Sequence, residues 1–419
     1  MHDLMVILPL IIVGAGAILL MLLASFQSLS KEALSIVTMG IYAFAFFVQL
    51  AVTNSGDILP FNNLFNGMMV ANTFTKVAGL IILACGFFST LMAQTYFTQN
   101  KGFVLEFYCM MLFGVCGMLL LTLSAELITA FISIEIMSLA IYTLVGADRK
   151  SIIRSEAVLK YLMLGAFAGA FFVMGTVFMF AGAKSTTFGG IAAVIAESGF
   201  ISSPTMVVGA FLILVALFFK VAAFPFHSWA VDVYDGAPLP ITGFMATAVK
   251  TAVFALMANF LVMNGELRDS WLTLLFYISV ITMLAGNLIA IGQDNLKRML
   301  AASGIVHTGY LIIAVAAVNT ESFTGGAILF YLAAYAASTL GLFAALSYLG
   351  GKDEKRATFD DFSGLAKVRP YSAAAISIFL LSMAGIPPTA GFMGKFYIIT
   401  SAIQADLVFL AIFGVISSV

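Results

Sequence analysis

Apolar stretches of about 20 residues recur along the whole chain and are separated by short polar segments. Since a helix rises about 1.5 Å per residue, a stretch of this length crosses the roughly 30 Å hydrocarbon core of a bilayer. The pattern therefore predicts thirteen membrane-spanning helices, at 4–24, 33–53, 75–96, 104–123, 126–146, 157–181, 205–231, 238–263, 271–291, 299–318, 325–349, 371–404 and 406–419.

Two of these stretches are longer than a membrane requires and contain proline. Pro225 lies within 205–231, and Pro387 and Pro388 lie within 371–404. Proline removes a helical hydrogen bond, and its ring clashes with the preceding turn. Both stretches are therefore predicted to be broken helices.

The distribution of charge supports the predicted spans. Of the 419 residues, 62% are hydrophobic and 9% are charged, and the net charge of -1 gives no indication of a nucleic-acid partner. Inner loops of membrane proteins carry an excess of Lys and Arg, which here predicts an outside N-terminus, because the outer loops then hold two basic residues, Lys184 and Arg268. The inner loops hold twelve: Lys31, Lys101, Arg149, Lys150, Arg154, Lys297, Arg298, Lys352, Lys355, Arg356, Lys367 and Arg369.

The two predicted breaks are five spans apart, which suggests an internal repeat. An odd offset makes the two copies cross the membrane in opposite directions, as in the inverted repeats of transporters. We expect three N-terminal helices in 1–103, one five-helix repeat in 104–263 and a second in 264–419. The last apolar run is too short to span, so we expect at least one more helix after Val419.

Four ionisable side chains lie deep in the apolar stretches: Glu135, Lys220, Lys250 and Lys395. An ammonium group near the bilayer centre costs roughly 2.5–3.5 kcal/mol on an insertion scale, and such residues are usually functional and paired. We predict that Glu135 pairs with Lys220 and that the pair changes the proton affinity of the lysine when it opens. The structural alternative is a static ion pair that joins two helices.

Lys250 and Lys395 have no acidic neighbour within a helical turn, and with Lys220 they are predicted to be steps of a lateral proton path. His307 is a predicted relay, because imidazole titrates near neutral pH. His227 is a weaker candidate, with a histidine bonded to a carbonyl at a helix end as the alternative. Hydroxyls that could line a water chain are those of Ser138, Ser303, Thr308 and Tyr310. The sequence has no glycine-rich phosphate loop and no cluster with metal-ligand spacing.

Three segments, FFKVAAFPFHSWAVDVYDGAPLPITGFMATAVK, DNLKRMLAASGIVHTGYL and GIPPTAGFMGKF, together resemble the signature of the antiporter-like subunits of respiratory complex I. The resemblance covers nearly the whole chain from about residue 70. Glu135 matches the glutamate of the family's fifth helix, and Lys220, Lys250 and Lys395 match the lysines of its seventh, eighth and twelfth helices. His307 falls at a polar position of the tenth helix. Lysine at position 395 favours the N type of the family over the M type, which has glutamate there.

The resemblance implies an all-α, polytopic bundle with 14 helices in the full protein. It implies a proton-translocating subunit that responds to quinone reduction elsewhere in a complex, in a bacterial inner membrane. Its expected partners are other membrane-arm subunits, lipid, protons and internal water. The resemblance places the quinone, flavin and iron–sulfur clusters on other chains, with no cofactor or metal on this one.

Two alternative functions remain open from the sequence. The same motifs occur in subunits of cation/proton antiporters and membrane-bound hydrogenases. A non-pumping structural membrane subunit, whose buried charges fix the helix register, would also contain buried lysines.

Overall fold

The computed structural model of the chain describes residues 2–25, 30–52, 62–99, 106–147, 152–318, 324–351, 354 and 358–418. Most of these residues are helical, which confirms the predicted all-α membrane bundle. Six of the predicted inner-loop cations lie outside the described residues: Lys101, Arg149, Lys150, Lys352, Lys355 and Arg356.

The helices are numbered in chain order. Those of the N-terminal part are α1 (His2–Val6), α2 (Leu8–Ser25), α3 (Lys31–Ala51) and α4 (Thr73–Gln99), and the strands β1 (Asn62–Leu64) and β2 (Met69–Ala71) form an antiparallel hairpin. The middle part contains α5 (Phe107–Leu123), α6 (Leu127–Val145), α7 (Ile152–Ala183), α8 (Phe188–Ser198), α9 (Pro204–Lys220), α10 (Ser228–Gly236), α11 (Leu239–Phe244) and α12 (Lys250–Met263). The C-terminal part contains α13 (Gly265–Ile291), α14 (Leu296–Ala316), α15 (Thr324–Leu349), α16 (Leu365–Val368), α17 (Pro370–Ala384), α18 (Ala390–Gln404) and α19 (Val408–Ser418).

Every predicted span contains at least one helix. Nine helical segments in the described part of the chain are long and apolar enough to cross a membrane, and five further apolar helices are shorter. The helix α8 and the β1–β2 hairpin were not predicted. Their segments are too short to stand out in a search for spans of about 20 residues.

Both predicted breaks are present. The helix α9 ends at Lys220 and α10 begins at Ser228, while α17 ends at Ala384 and α18 begins at Ala390. Interior prolines stop the helical hydrogen bonding at both places, which frees backbone carbonyls inside the bundle. Each break thus creates polar groups at a depth where lipid could not satisfy them.

The helices differ in how deeply they lie in the bundle. Of the most apolar 18 residues of each helix, 94% are buried in the segment Leu239–Met263 and 89% in α14. The corresponding values are 33% for α7 and 28% for α13. Lys250 and His307 are therefore carried by the two central segments. The outer helices α7 and α9 approach closely at Gly175 and Gly209, where a Cβ atom would lie 2.7 Å from the backbone of the other helix.

Basic residues of the predicted inner loops gather where α4 ends and α14 begins. Lys31 Nζ donates to the Phe97 carbonyl at the end of α4 (2.9 Å), and Arg154 donates to Tyr96 Oη of the same turn (3.1 Å). Lys297 joins them through Glu354, which accepts from Tyr96. We call this the basic end of the bundle.

Candidate functional site

Lys220 is the last residue of α9 and is 4% exposed. Its Nζ donates to Ser138 Oγ of α6 over 2.8 Å and lies 5.8 Å from the centroid of the Tyr142 ring. The Ser138 hydroxyl in turn donates to the Ile134 carbonyl (2.5 Å). The ammonium group is therefore held by a neutral oxygen beside an aromatic ring.

Glu135 is half-buried on α6, with Oε1 2.9 Å from where a Cβ atom on Gly169 of α7 would lie. The predicted direct pair of Glu135 with Lys220 is not formed, because no ion pair within 4.0 Å joins these two described residues. Ser138, three residues further on and therefore on the same helix face, contacts the ammonium instead.

Lys250 begins α12 directly after a π-helical turn, Met245–Val249, and is 3% exposed. Its Nζ donates to the Gly304 carbonyl of α14 and lies 5.4 Å from the centroid of the Tyr335 ring. A Cβ atom at position 304 would be only 3.2 Å from this nitrogen. Glycine there lets the lysine reach the backbone of the neighbouring helix.

Thr308 connects the break after α9 to the Lys250 contact. Its hydroxyl donates to the Val221 carbonyl, next to Lys220, over 2.7 Å, and lies 3.2 Å from the Gly304 carbonyl. The Gly304 oxygen is thus shared by Thr308 and Lys250. Polar contacts thus run from the Val221 carbonyl, next to Lys220 in the chain, to the Lys250 ammonium through one turn of α14.

His307 continues the series toward α15. Its Nδ1 is 2.5 Å from Tyr331 Oη, and its ring centroid is 4.7 Å from that of Tyr335. The Lys250 ammonium lies over the same Tyr335 ring, 5.4 Å from its centroid. His307, a predicted relay, thus lies next to Lys250 across the Tyr335 ring, and it lines one cavity together with Lys395.

Lys395 of α18 is 7% exposed and lies beside the second break. Its Nζ donates to the Ala384 carbonyl at the end of α17 (2.8 Å) and to Ser418 Oγ (3.0 Å), and lies 5.0 Å from the centroid of the Tyr310 ring. The carboxyl end of a helix carries partial negative charge, which stabilises a cation. We call Lys220, Lys250, His307 and Lys395, with the oxygens and rings between them, the lysine line.

A cavity of about 240 Å³ adjoins the last part of the lysine line. Its lining includes Lys395, His307, Tyr310, Ser303 and Asn287. One water occupies about 30 Å³ in the liquid, so the cavity has room for several waters. These polar groups offer the two to four hydrogen bonds that a buried water needs.

Comparisons with known proteins assign the chain to a family. Residues 124–419 match the model of the family described as NADH:quinone oxidoreductase/Mrp antiporter, TM. The chain is 37% identical over 419 residues to NADH-quinone oxidoreductase subunit N of Trichlorobacter lovleyi, covering 99% of this chain and 84% of that protein. It belongs to this family. The protein of the same name from Chloroflexus aggregans is 40% identical over 358 residues, covering 84% and 73% of the two chains.

Solved structures share the fold of this chain. A chain of respiratory complex I from Thermus thermophilus matches with a TM-score of 0.81 and 29% identity, over 98% of this chain and 86% of that one. A chain of the Mrp complex from Dietzia has the same TM-score of 0.81 at 21% identity, over 100% and 77% of the two chains, which shows a common fold. The subunit N names of the relatives confirm the N type that Lys395 favoured.

The predicted site residues of this family member come together in the lysine line, except Glu135, which stays outside ion-pair distance of Lys220, and His227. His227 stacks on Phe224 within the first break, with 5.4 Å between ring centroids. No hydrogen bond among the described residues joins it to the lysine line. Its predicted relay role has no contact to support it.

Two tyrosines of the lysine line were missed from the sequence. Tyr331 and Tyr335 are both buried on α15 and approach His307 and Lys250. Their spacing of four residues places them on one helix face, a signal that was available. The Gly304 carbonyl gives no such signal, because every residue has a backbone oxygen. In the described part of the chain, no three His, Cys, Asp or Glu side chains could together hold a metal ion.

Glu354 at the basic end is the acceptor of a compact polar cluster. It accepts from Lys297 Nζ (2.8 Å), Tyr96 Oη (2.6 Å) and the Leu239 amide (3.2 Å). Burial raises the pKa of the Glu354 carboxyl, but the charge of Lys297 and the hydrogen bonds from Lys297 and Tyr96 outweigh burial. The net pKa lies below the ordinary value for glutamate, so the group is ionised at neutral pH.

Proposed function

We propose that this chain is the N subunit of a proton-translocating NADH:quinone oxidoreductase and that protons move along the lysine line. Three sets of buried contacts and one shared cavity carry the proposal. Lys220 donates to Ser138, one turn of α14 contacts both Val221 and Lys250, and His307 contacts Tyr331. His307 and Lys395 line the same cavity. The names of the relatives supply the reaction to which the movement is coupled.

The partners of the lysines favour carriers over a static scaffold. In the described residues, Lys220, Lys250 and Lys395 each donate to neutral oxygens, and none has a carboxylate within ion-pair distance. An ammonium held in this way can lose its proton without leaving a buried carboxylate unpaired. In a structural ion pair, by contrast, each loss of the lysine proton would leave the buried carboxylate without a compensating positive charge.

The proposed role of each residue follows from its position relative to the two ends of the lysine line. Glu135 acts on Lys220 from outside hydrogen-bond distance, so a change in the charge of Glu135 would alter how firmly Lys220 holds its proton. Lys250 and His307 would relay the proton between the breaks. Lys395, beside the cavity that has room for several waters, would release it on the side opposite to uptake.

The surroundings of the subunit belong to the same proposal. The chain would lie in a bacterial inner membrane with its N-terminus outside, next to other membrane-arm subunits. Quinone, flavin and iron–sulfur clusters would be held by other chains of the complex. Residues 104–263 and 264–419 would be inverted repeats, which the two breaks at α9–α10 and α17–α18 support.

The proposal is tested by Lys220→Ala in the assembled complex, reconstituted into liposomes. We expect fewer protons translocated per electron, because the first ammonium of the line is gone. Lys184→Ala removes an exposed lysine at the end of α7 and is the control, with an unchanged ratio expected. An unchanged ratio in Lys220→Ala would leave the scaffold function as the better account. Co-purification of an iron–sulfur arm separates complex I from an antiporter.

A further inference from the structure

The ion pair of Lys297 and Glu354 is the most enclosed one among the described residues. The distance from Lys297 Nζ to Glu354 Oε2 is 2.8 Å, and the two side chains are 7% and 17% exposed. Lys297 also donates to the Ala237 carbonyl (2.5 Å), and Glu354 also accepts from the Leu239 amide (3.2 Å). Both side chains of the pair are therefore hydrogen-bonded to the backbone of the same short turn.

That turn joins the two parts of the chain that carry the first two lysines. Ala237 follows α10, which is the second half of the broken helix, and Leu239 begins the segment that leads to Lys250. Lys297 lies in the first turn of α14, which supplies the Gly304 carbonyl. We call the contact between this turn and α14 the seam. The Lys297–Glu354 pair covers the seam at the basic end of the bundle.

The seam below the pair leads to Lys250. Lys297 and Gly304 are seven residues apart on α14, which is two helical turns or about 10 Å on one face. The face between them carries Ala301, a small side chain that is 1% exposed. Tyr234 of α10 is buried, as is Tyr335, whose ring centroid lies 5.4 Å from Lys250 Nζ. Lys250 lies at the inner end of this seam, where its Nζ donates to the Gly304 carbonyl.

We propose that the Lys297–Glu354 pair is an ionic lock over a water route from the basic end to Lys250, and that opening the pair admits water to the middle of the lysine line. The two residues act by position and carry no proton themselves. The purpose of the lock rests on the proposed function, whereas its existence as a barrier to water does not.

A second layer of ion pairs nearby provides a matched comparison. Arg298, the next residue of α14, pairs with Asp235 (3.2 Å) and Asp232 (3.4 Å) of α10. These side chains are 30–40% exposed, so they lie closer to solvent than the lock. Neither aspartate contacts the turn between α10 and α11 in the described hydrogen bonds. Removing Asp235 should disturb charge at the basic end without opening the seam.

The test measures how fast a charged maleimide modifies the thiol of Ala301→Cys in the purified, assembled complex, with the site read by peptide mass spectrometry. Glu354→Gln keeps an oxygen that can accept from Tyr96 and Leu239 but removes the charge. We expect modification at least fivefold faster in Glu354→Gln than in the unsubstituted background, and less than twofold faster in Asp235→Asn. Equal rates in these two variants would overturn the lock.

Two further measurements, of complex assembly and of proton translocation, ensure that each outcome of the test can be interpreted. Native gels show whether each variant assembles, and if Glu354→Gln does not, Lys297→Gln is measured against the same thresholds and decides the question. If the thiol of Ala301→Cys becomes reactive while Lys220→Ala pumps normally, the lock stands and the proposed function fails. If Lys220→Ala stops pumping while that thiol stays protected in both lock variants, the lock alone is overturned.

Discussion

At the scale of single residues, the three buried lysines share one kind of environment. Each ammonium has a neutral oxygen acceptor and an aromatic ring 5.0–5.8 Å away: Tyr142 for Lys220, Tyr335 for Lys250 and Tyr310 for Lys395. The ring face attracts the cation without accepting its proton. This environment holds a charge in the bundle and leaves the proton free to move.

The Ser138 hydroxyl is predicted to be needed for the position of the Lys220 ammonium. In Ser138→Ala the ammonium loses its 2.8 Å acceptor, and a buried unsatisfied donor costs about 1–3 kcal/mol, more when charged. We expect a several-fold lower rate of proton translocation coupled to quinone reduction in reconstituted complex. Ser133→Ala is the control, since this buried serine of α6 bonds within its own helix and to Ser124. Equal losses in both variants would show a general weakening of α6.

At the scale of elements, the first break is fixed by the helices around it. Thr308 of α14 donates to the Val221 carbonyl (2.7 Å), and the Phe224 amide donates to Thr282 Oγ1 of α13 (3.1 Å). Backbone groups that the break frees are thus satisfied by hydroxyls from the C-terminal part of the chain. The break is a junction between the two proposed repeats as well as the site of Lys220.

Thr308→Val tests this junction, since valine keeps the shape but cannot donate. The Val221 carbonyl would lose its partner at a cost of about 1–3 kcal/mol. We expect a lower melting temperature of the detergent-solubilised complex and a reduced proton ratio. Thr176→Val removes a hydroxyl that donates to Phe172 within α7, so a smaller effect is expected. A melting temperature lowered equally by both substitutions would count against the junction.

The sequence predicts the breaks well and the contacts at them only in part. Pro225, Pro387 and Pro388 mark both breaks, because the effect of proline on a helix is local. Whether Glu135 or Ser138 contacts Lys220 depends on how α6 and α9 pack. The distances between side chains on different helices cannot be read from a single sequence. Charge complementarity therefore favoured the carboxylate, whereas the structure has the hydroxyl in contact.

At the scale of the whole molecule, the lysine line runs across the bundle from α6 to α18. It passes through Leu239–Met263 and α14, the segments that are most enclosed. Hydropathy predicted that these segments cross the membrane but not that they are central, because lipid-facing and buried helices are equally apolar. The central position follows from packing and explains how the Lys250 ammonium and the His307 imidazole avoid lipid.

The proton ratio of Lys250→Met, measured in liposomes that contain the assembled complex, tests the central claim most directly. Methionine keeps the length of the side chain but removes the proton from the middle of the line. Lys76→Met is the matched control, since Lys76 Nζ also donates to carbonyls, those of Leu50 and Val52, but lies at a helix end outside the line. We predict that the number of protons translocated per electron falls in Lys250→Met and is unchanged in Lys76→Met. An unchanged number in a fully assembled Lys250→Met complex would contradict the account.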